Sequence, residues 1–161
     1  MKKIILSLLA FTVLLSHSVH SQNLELDYKF LFDLIVLSED PIEIGTSPIG
    51  TRAIYPVQEG TFNGPRLKGE VLQNGGDWLL TIDSTTSKID ARGVLETDDG
   101  ERIYIQYNGF IHRNDDDSFY FRTNPTFETA SEKYSWLNHT LAIGVGEFIE
   151  GGVQYKVYAI K

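Results

Sequence analysis

The chain has 161 residues, none of them cysteine, and 22 acidic against 14 basic residues give a formal net charge of -8. The absence of cysteine excludes disulfide bridges, thiolate metal sites and a cysteine nucleophile. Because no stripe of Lys and Arg offsets the acidic excess, nucleic acid and anionic lipid are excluded as expected partners. The length suits one hydrophobic core and therefore predicts a single domain.

The first 21 residues have the pattern of a secretory signal peptide. Lys2 and Lys3 precede an apolar stretch at 4–16, and a polar segment then ends at Ser21. The apolar stretch is too short to cross a bilayer as a helix. We expect residues 1–21 to be removed, leaving residues 22–161 as a secreted or periplasmic domain without membrane contact. Losing Lys2 and Lys3 makes the net charge two units more negative.

Apolar and polar residues alternate along most of the remaining chain, which is the pattern of two-faced β-strands. Every second residue is apolar in 24–34 and in 103–107, and 89–95 follows the same rule apart from Gly93. Asp98-Asp-Gly100 supplies a hairpin turn between the predicted strands at 89–95 and 103–107, because Asp-Gly steps accept positive φ. We expect further hairpin tips at 73–77, 114–118 and 150–152. The segment 40–56 is the candidate long loop or irregular strand, and only 129–138 suits a short helical turn.

This pattern predicts an all-β fold, a single antiparallel β-barrel of about nine or ten strands with at most one short helix. A barrel leaves no unpaired strand edge, which suits a chain of this size. A sandwich of two sheets is the alternative.

Most catalytic signatures are absent from the sequence. It contains no phosphate-binding glycine loop, no Gly-x-Ser-x-Gly motif and no dinucleotide fingerprint. Beyond residue 21 the histidines are His112 and His139, which are too few for a three-histidine metal site. We therefore expect no metal and no cofactor. The acidic run 115–117 matches no calcium loop and predicts a solvated hairpin tip.

The remaining candidates are carboxylates and arginines among aromatic residues. Asp90, Arg92 and Glu96 share one face of a predicted strand, and Arg122 lies in an aromatic segment. If that face lines the barrel, burial and a guanidinium would tune the pKa values of these carboxylates for acid–base chemistry. If it faces solvent, the same residues form surface ion pairs. Alternation favours the outward orientation without deciding it.

Five ordered blocks carry a resemblance to a known family. They are Gly60-Thr-Phe-Asn-Gly-Pro-Arg-Leu-Lys-Gly69, Gly75-Gly-Asp-Trp78, Asp90-Ala-Arg92, Glu96-Thr-Asp-Asp-Gly100, and Tyr120-Phe-Arg-Thr-Asn-Pro-Thr-Phe-Glu-Thr129 with Tyr134-Ser-Trp-Leu-Asn138. In this order the chain resembles the domain-of-unknown-function 3237 family, also catalogued as uncharacterised protein family 0311, over essentially all of the predicted mature chain. The resemblance implies a compact one-domain β-barrel and implies no settled activity.

The resemblance also implies candidate site residues. The family pattern falls on polar residues and on aromatic residues that would suit a small pocket, namely Asp77, Asp90, Arg122, Glu128 and Asn138 with Trp78, Trp136 and Tyr104. The chain departs from the pattern at Gly93, where relatives carry an aromatic residue. That departure affects the identity of a substrate rather than the fold.

Three functional hypotheses follow. In the first, an exported barrel binds a small, partly apolar molecule, with Trp78 and Trp136 packing on it and Glu128, Asn138 and Tyr104 beside it. In the second, a cofactor-independent isomerase, lyase or hydrolase uses Asp90 or Asp77 to move a proton and Arg122 to stabilise an oxyanion. In the third, the polar residues only fix turns and strand pairs in a structural or interaction module. The sequence does not predict the oligomeric state.

Overall fold

The computed structural model describes residues 25–161, so the predicted signal peptide lies outside the described part. Ten strands and one short 3-10 helix are present within it, which confirms the predicted all-β class. The strands are β1 Tyr28–Ser38, β2 Ile42–Ser47, β3 Gly50–Asn63, β4 Lys68–Val71, β5 Gly76–Thr81, β6 Thr86–Thr97, β7 Arg102–Arg113, β8 Phe119–Glu128, β9 Ala142–Ile149 and β10 Gly152–Ile160. The helix is Ser135–His139. Its first four residues lie in the segment 129–138, which the sequence predicts as a short helical turn, and His139 directly follows that segment.

The strands close into an antiparallel barrel. From β1 the hydrogen-bonded order runs through β10, β9, β8, β7 and β6, and β3 pairs back to β1. β4 and β5 both lie between β6 and β3, and together they fill one position of the barrel. The barrel prediction is therefore confirmed, and the sandwich alternative is wrong because the sheet closes on itself.

The longest strand, β3, organises one side of the barrel. Its first half pairs with β2 and β5, and its second half pairs with β1 and β4. The segment 40–56, predicted as a long loop or an irregular strand, contains β2 and the start of β3, so the strand alternative is correct. Pro41 and Pro48 flank β2, Gly50 begins β3 at φ +133, and Gly45 lies at a register shift of β2 at φ +95.

The predicted hairpin tips are correct where consecutive strands pair. Gly100 and Gly151 adopt φ of +85 and +74 in the β6–β7 and β9–β10 turns. The tip at 114–118 joins β7 to β8. The prediction at 73–77 is wrong, because this segment joins β4 to β5, which pair with β3 and β6 instead of each other.

A bulge in β1 reverses the faces expected for its first residues. The register shifts between Phe30 and Phe32, so Leu31 and Phe32 are both buried. An extra residue in one strand moves every earlier side chain to the opposite face. Leu26 and Tyr28 are consequently exposed, although the sequence placed them with Phe32.

The two ends of the barrel interior differ. One end is packed solid around Phe32, Phe62 and Phe127, whose rings meet edge to face, and the segment carrying Tyr134 and Leu137 covers it. The other end, where β6 begins and β7 ends, is open. We call these the closed end and the open end.

Candidate functional site

A cavity of about 610 Å³ enters the barrel at its open end. The inward faces of the strands supply its wall, which is apolar for most of its depth. The principal apolar residues are Leu34, Val36, Val57, Val71, Leu79, Leu95, Ile105 and Ile111, with Phe119, Phe121, Phe148 and Val153 near the opening. A concave, mostly apolar cavity with a few polar groups is the usual form of a small-molecule site.

Gly93 explains part of the empty space. It lies on the inward face of β6 between Ala91 and Leu95, and it lines the cavity. A Cβ atom built there would meet nothing closer than 4.0 Å, the distance to methyl carbons of Ile105 and Val71. A side chain at this position would start in open space, so the glycine leaves this part of the interior open.

Asp77 is the half-buried acidic group of this wall, whereas the other acidic residues of the lining, Glu39 and Asp83, are exposed. Asp77 lies on β5, which pairs with β3 and β6, and its side chain lines the cavity. The Asp77 Oδ1 atom accepts a hydrogen bond from the Asp90 backbone N–H at 3.0 Å. Burial raises the pKa of Asp77 to about 6, and the charge of Asp90 acts in the same direction. The hydrogen bond and the positive charge of Arg52 oppose the increase in this pKa. Asp77 can therefore exchange a proton near neutral pH.

Two buried phenols lie in the same wall. Tyr107 on β7 and Tyr155 on β10 meet edge to face with ring centroids 5.4 Å apart. Burial raises the pKa of both phenols above the usual value of 10, and the charge of Asp77 adds to the increase. Both phenols therefore stay protonated and can donate hydrogen bonds into an apolar space.

Asp90 and Arg122 lie on the outer face of the barrel. Asp90 forms an ion pair with Arg92 at 3.2 Å, and the Arg92 guanidinium lies 5.5 Å from the centroid of the Trp78 ring. Arg122 donates a hydrogen bond to the Phe121 carbonyl at 2.9 Å. The structure therefore does not bring Asp90 and Arg122 together with Asp77 in the cavity. Trp78 also lies outside it, beside Arg92.

The other candidates lie on the outer face or at the closed end. Asn138 accepts a hydrogen bond from the Thr129 N–H at 2.8 Å and donates one to the Thr129 carbonyl at 2.9 Å. Trp136 stacks with Arg66 at 3.9 Å. Tyr104 donates a hydrogen bond to Gln106 at 3.2 Å, and the exposed Glu128 lies opposite Tyr104 in the β7–β8 register. Of the eight candidates, only Asp77 lines the cavity, and its side chain is half-buried there.

Sequence reasoning missed Tyr107 and Tyr155, although a signal for Tyr107 was present. Tyr107 has the same parity as Ile103 and Ile105, so an apolar inner face places its ring in the interior. Gly93 was noted as a departure from the family pattern, but its effect on the cavity depends on the packing of β4 and β7.

Residues 25–161 contain no helix long and apolar enough to span a membrane. In the same range, no group of three or more His, Asp or Glu side chains is arranged to hold a metal ion.

Known proteins resemble this chain over most of its length. A UPF0311 protein of Clostridium acetobutylicum is 31% identical over 150 residues, which cover 84% of this chain and 95% of that protein. The crystal structure of a beta-barrel like protein from Acinetobacter baumannii superposes with a TM-score of 0.81 at 36% identity, covering 85% of this chain and 97% of that chain. A protein of Penicillium herquei named a hydroalkoxylation enzyme is 28% identical over 117 residues, covering 72% of this chain and 71% of that protein.

The family assignment rests on the match to a family of proteins of unknown function, DUF3237, over residues 26–160. Together with the UPF0311 relative, this match means that the chain belongs to the DUF3237 family.

Proposed function

We propose that the barrel interior binds one small, largely apolar molecule at its open end. The observation that carries the proposal is the cavity of about 610 Å³, whose mostly apolar wall includes the half-buried Asp77 and the buried Tyr107 and Tyr155. Ligand sites commonly have a few hundred Å³ of apolar space and a small number of polar groups that orient the ligand.

The empty space also argues against the structural-module alternative. Protein interiors are close-packed, and unfilled volume lowers the free energy of unfolding. Gly93 leaves open space at the position that the Cβ of any other residue would occupy. A chain selected only for a stable barrel would gain from filling it.

Binding can be tested with N-phenyl-1-naphthylamine, an uncharged dye that fluoresces in apolar surroundings. We expect the dye to bind the wild-type protein at one site. Gly93→Leu should weaken this binding at least about tenfold, a loss of about 1.4 kcal/mol, because the leucine occupies the cavity. Val94→Leu is the matched control, since Val94 is the next residue of β6 and faces outward. Equal binding by the wild type and Gly93→Leu would contradict the proposal.

A second candidate function is acid–base catalysis by Asp77 on the bound molecule. A group with a pKa near 6 inside an apolar cavity is suited to accept and return a proton at neutral pH. The relative from Penicillium herquei that is named a hydroalkoxylation enzyme supports this candidate. In hydroalkoxylation an alcohol adds across a carbon–carbon double bond.

Such a reaction is balanced without an oxidant, a reductant or a cofactor. The O–H bond and the π bond break, one C–O bond and one C–H bond form, and the proton moves from oxygen to carbon. Asp77 would accept the hydroxyl proton and return it to carbon, while the phenols of Tyr107 and Tyr155 would donate hydrogen bonds to the reacting oxygen. The apolar wall would exclude water, which otherwise competes as a nucleophile.

The test for catalysis uses 2-allylphenol, which carries a hydroxyl and an alkene in one molecule and gives an isomeric dihydrobenzofuran. We expect conversion by the wild type and its loss in Asp77→Asn, with dye binding retained. Asp115→Asn, at the exposed tip between β7 and β8, should convert the substrate at the wild-type rate. Conversion that survives in Asp77→Asn would exclude Asp77 as the acid–base group.

We also propose that the chain is exported. The support is the sequence pattern of residues 1–21, with Lys2 and Lys3 before the apolar stretch. Mass spectrometry of the protein recovered outside the cytoplasm should give a chain that begins at Gln22. Recovery of the uncleaved chain from the cytoplasm alone would contradict export.

A further inference from the structure

Five aromatic side chains form a continuous row along one wall of the cavity. In order they are Phe119, Phe148, Phe121, Tyr155 and Tyr107. Successive ring centroids are 5.1, 5.4, 5.2 and 5.4 Å apart, and each pair is edge-to-face or tilted. We call this set the aromatic row. Gly146 makes room for it, because a Cβ there would lie 2.7 Å from the Phe121 ring.

The aromatic row leads from solvent to the interior. Phe119 is 46% exposed and Phe148 is 52% exposed, whereas Phe121 is 1% exposed. Tyr155 and Tyr107 are buried, and the charge of Asp77 contributes to the increase in the pKa of both phenols. Exposed phenylalanines at the opening offer an apolar surface that a bound ring would cover.

The charges around the cavity disfavour an anionic ligand. The basic residues that border it are Arg92, whose guanidinium lies beside Trp78 on the outer face, and Arg113. Both are about half-exposed, and they pair with Asp90 and Asp117. Among the described residues, no unpaired cation lines the interior to compensate a buried negative charge. An anion there would lose its hydration and would also be repelled by ionised Asp77.

Asp77 has acceptor capacity to spare. Its Oδ1 accepts the Asp90 N–H, whereas Oδ2 accepts no hydrogen bond from a residue in the range 25–161. A carboxylate oxygen in an apolar space gains from a donor, because a hydrogen bond to a charged group is stronger than one between neutral groups. A ligand with a hydroxyl group would supply that donor.

We propose that the ligand is an uncharged ring compound that carries a hydroxyl group. Its ring lies on the aromatic row, and its hydroxyl donates a hydrogen bond to Asp77. This inference rests on the proposed binding function and names the class of ligand for that cavity. It also fits the acid–base candidate, because the same hydroxyl is the group that Asp77 would deprotonate.

Three naphthalenes test the class of ligand, because they share one ring system and differ in one substituent. They are 2-naphthol, 2-methoxynaphthalene and 2-naphthoate, each measured at pH 7.5 by displacement of N-phenyl-1-naphthylamine. We expect 2-naphthol to bind about tenfold more tightly than 2-methoxynaphthalene, since only naphthol donates a hydrogen bond. We expect 2-naphthoate to bind at least about tenfold more weakly than 2-naphthol.

Variants assign these differences to residues. Asp77→Asn keeps an acceptor for the Asp90 N–H, and it should reduce the preference for naphthol over methoxynaphthalene to less than about threefold. Phe148→Ala should weaken naphthol binding about fivefold, since aromatic contacts of this kind contribute about 1 kcal/mol. Tyr120→Ala is the matched control, because Tyr120 is an exposed aromatic residue of β8 that does not line the cavity. It should leave naphthol binding unchanged.

The outcomes separate this inference from the binding proposal. If the dye does not bind the wild type, the binding proposal fails and the inference fails with it. If the dye binds but naphthoate competes as well as naphthol, or methoxynaphthalene equals naphthol, only the ligand class is overturned. Unchanged naphthol binding in Phe148→Ala overturns the role of the aromatic row.

Discussion

The Asp77 carboxyl makes the free energy of unfolding fall as the pH rises, which is opposite to the effect of a carboxyl group whose folded-state pKa is lowered. Its folded-state pKa, about 6, lies above the ordinary value of 3.8 because the group is buried. Between pH 4 and pH 6 the folded protein therefore holds a proton that the unfolded chain has lost. The contribution of Asp77 to the free energy of unfolding falls as the pH rises through this interval and stays low above it.

Replacing Asp77 by Asn removes this dependence. The shift corresponds to about 2–3 kcal/mol, at about 1.4 kcal/mol for each pKa unit. We expect the difference in unfolding free energy, Asp77→Asn minus wild type, to be larger at pH 8 than at pH 4 by about that amount. Urea denaturation at the two pH values measures it, with Asp115→Asn as the control for an exposed carboxylate. A difference that does not change with pH would mean that Asp77 is not desolvated.

A second prediction for a single residue concerns the effect of Gly93 on the free energy of unfolding. Gly93→Leu should raise the free energy of unfolding by about 1–2 kcal/mol, because it buries apolar surface in empty space and removes a flexible glycine from a strand. Thermal denaturation checks this, and Val94→Leu again serves as the control. A lower melting temperature for Gly93→Leu would indicate that the region around Gly93 is already filled.

At the scale of elements, the closed end depends on a side-chain clamp. Asn138 joins the 3-10 helix to Thr129, just beyond β8, through two hydrogen bonds to the Thr129 backbone. Asn138→Ala should therefore lower the free energy of unfolding by about 1–2 kcal/mol. Binding of N-phenyl-1-naphthylamine at the opposite end should be unaffected.

Asn124→Ala is the matched control for the clamp, since Asn124 is exposed on the outer face of β8. Urea denaturation and dye titration of both variants give the two readouts. A variant at Asn138 that keeps its stability and loses dye affinity would assign Asn138 to the ligand site instead of the clamp.

The strands and hairpins were predictable because their signals are local. Alternation defined β6 and β7, and Asp98-Asp-Gly100 defined the turn between them. The faces of β1 were not predictable, since one bulged residue at Leu31 reverses them and nothing nearby in the sequence marks it. The pairing of β4 and β5 with the same two strands also depends on long-range contacts.

At the scale of the whole molecule, local sequence signals also did not predict which candidate residues lie together in the site. Asp77 was identified from the sequence, but it was grouped with Asp90 and Arg122, which the barrel holds on its outer face. Alternation divides each strand into two faces, and the closure of the barrel decides which face surrounds a cavity. The barrel therefore separates two regions that the sequence could not distinguish, a packed closed end held by Asn138 and an open end that contains Asp77.

The division between a packed closed end and a ligand-binding open end is tested most directly by locating a bound ring compound. Crystals soaked with 6-bromo-2-naphthol would place the bromine atom by its anomalous scattering. We expect one bromine peak inside the barrel along the aromatic row, with the naphthol oxygen within hydrogen-bond distance of Asp77. A peak on the outer face beside Trp78 and Arg92, or at the closed end beside Trp136, with none in the cavity, would contradict the assignment of the interior as the functional site.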